Sequence, residues 1–431
     1  MIFLNRKRFL LWLLKAYIRK WGKTILLSFF IGLIIFIIVN SISGFFLGLF
    51  PFKHEDKIGI VGSFTVNTLP YEVVGKMSKG LTSLSNDGFP KTSVAYSWEI
   101  EDSGKTYIFH LKHDLYFSDN SKVDSSSINY NFLDVKVEKP DQYTIVFKLK
   151  EPYAPFLITV SKPIFKKSFI GIGDYKVKSW DFNGEFVKSI ELFSIKDKRV
   201  VSYQFYPTDK ALKIALVLGE ISKASQIQDI NFLNTTFYSF PNYSINKKTS
   251  NKQLATIFYN NKDKILSDKR LREALSYSVP DSFSDGERNK LPYPPNLWIN
   301  YGGIEAYQQD FDHAKNLLAE SEASNSAHLT LTIKTLAKYE KVAEEIKDSW
   351  KFLGIRTSIE KVDSLPSSFQ IFLGEFNVPQ DPDQYALWHS SQPNNITGYR
   401  NLRIDKLLED GRQTQDLEKR DRKSTRLNSS H

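Results

Sequence analysis

Cysteine is absent from all 431 residues of the chain. This excludes disulfide bonds and cysteine-ligated metal sites, so a folded body must be held together by its own core. Attachment to a membrane through a lipid-modified cysteine is excluded as well.

Acidic residues are absent from the first 23 positions, which carry seven basic residues. Of the formal net charge of +10, these positions supply +7 and residues 421–431 supply +2, which leaves +1 for residues 24–420. A nearly neutral body lacks the basic surface that nucleic acids require. We therefore expect no nucleic-acid partner.

Charged residues are also absent from residues 24–52, a run of 29 positions. A helix needs roughly 20 apolar residues to cross a bilayer. Because basic flanks stay in the cytoplasm, we predict a cytoplasmic arm at 1–23, a transmembrane helix at 24–48 in contact with the lipid bilayer, and a body outside the cell membrane. A cleaved signal peptide is the alternative, with Ser41-Ile42-Ser43 as its cleavage site, but the run exceeds the usual signal core of about 7–15 residues.

Sequence motifs of catalysis are missing too, since no nucleophile elbow, phosphate loop or zinc-type histidine spacing occurs. His110 and His113 are three residues apart, a spacing that puts them on opposite faces of a strand. No catalytic residue, cofactor or metal site is predicted.

Hydrophobic periodicity predicts a mixed α/β body. Alternation of period two indicates strands at Tyr107–Leu111, joined to the preceding strand by a turn at Asp102-Ser103-Gly104, and at Tyr143–Leu149. Helical periodicity covers 209–220 and 311–320, and Asp268 is placed to cap another helix. Residues 329–362 read as strand, helix and strand, which predicts a parallel, right-handed βαβ unit.

Acids and aromatic residues cluster near the end of the body, where Asp381-Pro382-Asp383 precedes Tyr385, Trp388 and His389. One interpretation is structural, with Asp383 capping a short helix after a proline turn. The other is direct contact with a ligand.

Five blocks occur in the order found in a known family. They are Ala95-Tyr96-Ser97-Trp98-Glu99 through Phe117-Ser118-Asp119, Gly173-Asp174-Tyr175-Lys176-Val177, Asp268 to Leu275, Phe311 to Leu318, and Asp381 to Gly398 with Ile404 to Leu408. Together they resemble the family 5 solute-binding proteins of ABC importers, which bind dipeptides, oligopeptides or nickel. The likeness covers about residues 57–420.

The resemblance implies a two-lobed α/β fold of the periplasmic-binding-protein type II, with an extra β-rich subdomain. The first lobe, lobe I, then covers about 57–75 and 166–250, and the second, the ligand lobe, covers about 251–400. The β-rich subdomain is inserted in lobe I at about 76–165. Solute is held between lobes that close by a hinge.

The function implied is that of a membrane-anchored, extracytoplasmic substrate-binding component of an ABC importer. Such a protein is a monomer without catalysis that captures a small solute, an oligopeptide first, and delivers it to ABC permease subunits. The expected ligand contacts are Asp381, Asp383, Tyr385, Trp388 and His389. A sensor or scaffold with a binding-protein fold, and an extracellular hydrolase, are the alternatives.

Two departures from the family pattern carry predictions of their own. Peptide-binding relatives place an Asp for the free α-amino group where this chain has Val378, so blocking a peptide's amino group should matter little. Residues 421–431 resemble a translated sequencing adapter, so we expect this tail to be foreign and the natural chain to continue differently.

Overall fold

The computed structural model describes residues 12, 15–24, 26–34, 36, 56–227, 229–246, 253–284, 286–289, 307–322, 329–378, 381 and 383–428. The chain divides into two compact units, residues 1–56 and 57–431. We describe each unit by itself.

The N-terminal unit is helical over residues 15–24 and 26–34. Its large apolar side chains are exposed, Phe29 and Ile34 among them. Within the described residues, no helix combines the length and apolar character that crossing a bilayer takes. Residues 25, 35 and 37–48 of the predicted span lie outside the described residues, as do residues 1–11, 13 and 14 of the predicted arm.

The body contains strands and helices that we number in chain order. The strands are β1 (Asp56–Val61), β2 (Thr82–Leu84), β3 (Pro90–Thr92), β4 (Ala95–Glu101), β5 (Thr106–Leu111), β6 (Val135–Asp141), β7 (Thr144–Leu149), β8 (Tyr175–Asn183), β9 (Phe186–Ser194), β10 (Val200–Tyr206), β11 (Lys223–Ser225), β12 (Asn231–Phe232), β13 (Thr235–Thr236), β14 (Gln253–Tyr259), β15 (Ser282–Phe283), β16 (Gly286–Glu287), β17 (Thr330–Leu336), β18 (Arg356–Val362) and β19 (Ile371–Asn377). The helices are α1 (Tyr71–Met77), α2 (Phe156–Thr159), α3 (Asp209–Val217), α4 (Lys269–Tyr277), α5 (Phe311–Ala319), α6 (Glu340–Lys351), α7 (Tyr385–Trp388), α8 (Leu402–Gln413) and α9 (Leu417–Asn428).

The first sheet of the body has five strands in the order β11-β1-β10-β9-β8. Strands β1 and β11 are parallel, whereas β8, β9 and β10 form an antiparallel meander. Val73 and Met77 of α1 pack against Ile60, Ile190 and other buried side chains of this sheet, because the helix turns its apolar face to it. The predicted helix at 209–220 is confirmed as α3.

The second sheet is antiparallel, with the order β4-β5-β7-β6. The predicted turn between β4 and β5 is confirmed, and Asp102, Ser103 and Gly104 all adopt positive φ angles of 50°, 54° and 94°. The φ of Gly104 is one that side chains rarely allow, so this position favours glycine, and a Cβ there would also lie 2.2 Å from the Gln415 side chain. Buried Tyr107 and Phe109 of β5 form part of a large aromatic core under the sheet.

The third sheet has the order β14-β19-β17-β18. The predicted βαβ unit is confirmed, since β17 and β18 are parallel and α6 connects them. Helix α6 buries Ile346 and Trp350 in the core below the sheet. It is followed by Gly354, whose φ of +77° turns the chain into β18. The predicted cap of α4 is confirmed as well, because the Asp268 carboxylate accepts a hydrogen bond from the Arg270 backbone N–H at 2.9 Å.

Candidate ligand site

The candidate site lies at the carboxyl end of β19. Strands β17 and β19 are parallel, so both chains leave the sheet at the same edge. Residues 381–389, where the sequence places the ligand contacts, follow β19 after a short connection. In open α/β sheets this edge is where ligands bind.

Asp381 is buried and makes a bidentate ion pair with Arg420 of α9. Arg420 Nη1 donates to Asp381 Oδ2 at 2.8 Å, and Nη2 donates to Oδ1. The two side chains are 8% and 5% exposed, so both charges have left water. Burial raises the pKa of the Asp381 carboxyl above its usual value, and the Arg420 guanidinium offsets part of that increase.

Asp383 is held by the chain itself in two ways. Its Oδ1 accepts a hydrogen bond from the backbone N–H of Tyr385, the first residue of α7, at 3.1 Å. Its Oδ2 accepts a hydrogen bond from Arg412 Nη2 of α8 at 2.9 Å. Asp383 thus bonds to the first residue of α7, but the N-cap of this helix is Gln384, so Asp383 is not the cap that the structural interpretation predicted.

Arg412 also faces two aromatic rings. Its guanidinium carbon lies 4.1 Å from the ring centroid of Tyr385 and 5.1 Å from that of Tyr153. Tyr153 follows β7 and so reaches the site from the part of the chain that carries the second sheet. Burial raises the pKa of the Tyr153 phenol, and the nearby Asp383 carboxylate raises it further.

Aromatic residues of α7 continue this surface. The Tyr385 ring stacks on His389 with centroids 4.3 Å apart. The two ring nitrogens of His389 lie 2.8 Å from Ser391 Oγ and 3.3 Å from Glu409 Oε1. Trp388 stacks on Phe376 of β19 at 6.4 Å and is partly buried. The structure thus brings all five predicted residues into one region, each in contact with other side chains of the protein.

Val378 lies in an apolar cluster rather than beside a charge. It is 9% exposed and shares this cluster with Phe258, Phe372 and Phe376. The neighbouring acid Glu375 forms an ion pair with Lys338. Asp381 and Glu375, the two acids nearest to this position in sequence, therefore both have cationic partners.

The family profile described as bacterial extracellular solute-binding proteins, family 5 Middle, matches residues 122–398. The chain belongs to this family. Its members are solute-binding proteins, which agrees with the resemblance found in the sequence.

Curated relatives of this family 5 protein share about a fifth of its residues. The probable D,D-dipeptide-binding periplasmic protein DdpA of Escherichia coli is 23% identical, over 80% of this chain and 76% of its own. Heme-binding protein A of Haemophilus influenzae is 22% identical, over 67% of this chain and 64% of its own.

Solved structures of the same kind show that the fold is shared. NikZ from Campylobacter jejuni, in complex with Ni(L-His), superposes with a TM-score of 0.70 at 19% identity, over 88% of this chain and 90% of its own. DppA from Helicobacter pylori, in complex with the peptide STSA, gives a TM-score of 0.59 at 18% identity, over 86% and 89%. This family 5 protein therefore has the two-lobed α/β fold of periplasmic binding proteins.

Three residues of the site were not predicted from the sequence of this family 5 protein: Tyr153, Arg412 and Arg420. Both acids that the two arginines contact lie about 30–40 residues earlier in the chain. Tyr153 is more than 250 residues from Arg412. Nothing in local spacing pairs such residues, because the contact arises only when the helices dock.

Proposed function

We propose that this protein is the substrate-binding component of an ABC importer, which captures a peptide-like or related small solute outside the cytoplasm and delivers it to a permease. The family match over residues 122–398 carries this proposal. Similar proteins are named for D,D-dipeptides and heme, and one was solved in complex with Ni(L-His), so the ligands named for them are small solutes.

The ligand contacts that we propose are Asp381, Asp383, Tyr385, Trp388 and His389, at the carboxyl edge of the third sheet. Among these, the aromatic rings of Tyr385 and Trp388 can supply most of the contact area, as aromatic side chains do in such clefts. The two carboxylates also pair with arginines, and these ion pairs hold the rings and the neighbouring backbone in place. Val378 lies where an acid would have to stand to bind a free amino group.

A thermal-shift screen of peptides, sugars and metal chelates tests this function. A bound solute should stabilise the protein by RT ln(1 + [L]/Kd), about 2.7 kcal/mol at a hundredfold excess over Kd. Trp388→Ala should remove this gain, whereas Tyr238→Ala, at a side chain that is 70% exposed elsewhere in the body, should keep it. Circular dichroism of the unliganded Trp388→Ala protein must first show a folded body.

The same screen examines Val378. A peptide that binds and its N-acetylated form should give similar shifts, because no free acid stands at this position. Tight binding of the free peptide with none of its acetylated form would contradict our interpretation and would point to Asp381 or Glu375 as the partner of the amine.

We further propose that residues 24–48 anchor the protein in the cell membrane with its body outside. The uncharged run, the seven basic residues before it and the exposed apolar side chains of residues 26–34 support this. Protease added to intact cells should remove the body and spare the arm at 1–23. A mature N-terminus near Gly44, measured by mass spectrometry, would instead demonstrate a cleaved signal peptide.

A further inference from the structure

The C-terminal segment from Arg412 to Gln415 touches the part of the body that carries the second sheet. The backbone N–H of Ala154 donates to the Arg412 carbonyl at 2.7 Å. The Tyr107 hydroxyl lies 3.3 Å from Gln415 Oε1. These contacts place the Arg412 side chain between two regions of the protein that are far apart in sequence.

Arg412 is suited to join these regions because its guanidinium is flat, charged and delocalised. It lies over Tyr153 on one region and over Tyr385 on the other, and it donates to Asp383. A lysine ammonium could keep the charge but would lose the flat face and the fixed fork of donors. The geometry therefore uses properties that only arginine offers.

One polar atom of the Arg412 side chain has no hydrogen-bond partner among the described residues. This atom is Nε, which is buried. A buried donor without a partner makes an arrangement costlier than one that is fully bonded. Opening the contact would return this N–H to water, so the buried position of the guanidinium depends on its contacts with the two rings and one carboxylate.

We propose that Arg412 is a positioning residue of the ligand site, which couples Tyr153 of the β-rich subdomain to Tyr385 and Asp383 of the ligand lobe. When the two regions approach each other, the guanidinium meets the Tyr153 ring and fixes the orientation of Tyr385. When they separate, Tyr385 loses this support. Only the statement that Tyr385 contacts solute rests on the proposed function.

Paired spin labels can measure this coupling without a ligand, since the chain has no cysteine to interfere. Leu133, which is fully exposed near the second sheet, and Lys351, which is exposed at the end of α6, are both replaced by Cys and labelled. The full chain is studied in mild detergent. We expect Tyr153→Leu and Arg412→Gln each to shift the distance distribution toward longer values, with the separated population rising about 3–10-fold, the range expected for one cation–π contact.

Two substitutions that remove the same contact should not have additive effects on the separated population. Because Tyr153 and Arg412 act through the same contact, the double variant Tyr153→Leu with Arg412→Gln should separate no further than Arg412→Gln alone. Tyr153→Phe keeps the ring and should restore the wild-type distribution, whereas Arg412→Lys should resemble Arg412→Gln. If the Tyr153 hydroxyl rather than its ring held the two regions together, Tyr153→Phe would instead show a larger separated population than the wild type.

An unchanged distance distribution in Tyr153→Leu would overturn the proposal, as would additive effects in the double variant. Tyr153→Leu leaves the Arg412–Asp383 ion pair intact, so it decides the matter even if Arg412→Gln folds poorly. Since no solute is present, failure of the proposed transport function would leave this result untouched.

Discussion

Replacing Arg420 by Gln is expected to lower the free energy of unfolding by about 3–5 kcal/mol, because it leaves the buried carboxylate of Asp381 without its partner. Arg420 lies on α9 (Leu417–Asn428), the helix that continues into the tail at 421–431. The control is Arg403→Gln on α8, where the side chain is exposed and a change within about 0.5 kcal/mol is expected. Urea unfolding of the full chain measures both variants.

The pH dependence of this effect has a definite sign. Burial already raises the pKa of Asp381, and removal of Arg420 raises it further, while Asp383 nearby acts in the same direction. A carboxyl whose pKa is higher in the folded state binds more protons there, so folding stability rises as pH falls through that folded-state pKa. The deficit of Arg420→Gln should therefore shrink from pH 7.5 to pH 5. An equal deficit at both values would show that the lost packing of Arg420 dominates.

Trp350→Ala in α6 should also destabilise the body, by about 3–5 kcal/mol. The Trp350 side chain is fully buried, and its Nε1–H donates to the Leu275 carbonyl at 3.0 Å. Its removal would leave a cavity between α6, α4 and the third sheet, as well as an unpaired buried carbonyl.

The matched control is Phe352→Ala, two residues further on, whose side chain is 72% exposed. Urea unfolding should find it within about 1 kcal/mol of the wild type. If both variants lost the same stability, the core of this lobe would not be organised around Trp350.

The sequence predicted those elements of the fold that are determined by hydrophobic periodicity and by glycine over short stretches of chain. The βαβ unit was predicted because β17 and β18 alternate, α6 is amphipathic and Gly354 marks its end. Strand β6 was missed, since its Pro140 is disfavoured in strands. In the structure β6 is an edge strand, where a residue without an N–H is tolerated.

In the candidate site, too, the residues that are close in sequence were predicted and those brought in from distant parts of the chain were not. The sequence indicated Asp381, Asp383 and the aromatic residues after them, because they are grouped in one stretch and match a family block. It did not indicate Arg412, Arg420 or Tyr153, which join that stretch only through tertiary packing. Whether the five predicted residues touch solute stays a prediction, and their contacts within the protein are what the structure adds.

The contacts of the segment from Arg412 to Arg420 impose an order on how the molecule can be assembled as it is made. The four strands of the second sheet lie within residues 95–149 and can pair soon after they leave the ribosome. The contact between the Tyr107 hydroxyl and Gln415 can form only after a further 308 residues have been synthesised. During most of synthesis the β-rich subdomain is therefore complete but undocked, with its aromatic Tyr153 unsupported. A nascent chain stalled before residue 412 would expose this surface to chaperones and proteases, whereas the finished chain covers it.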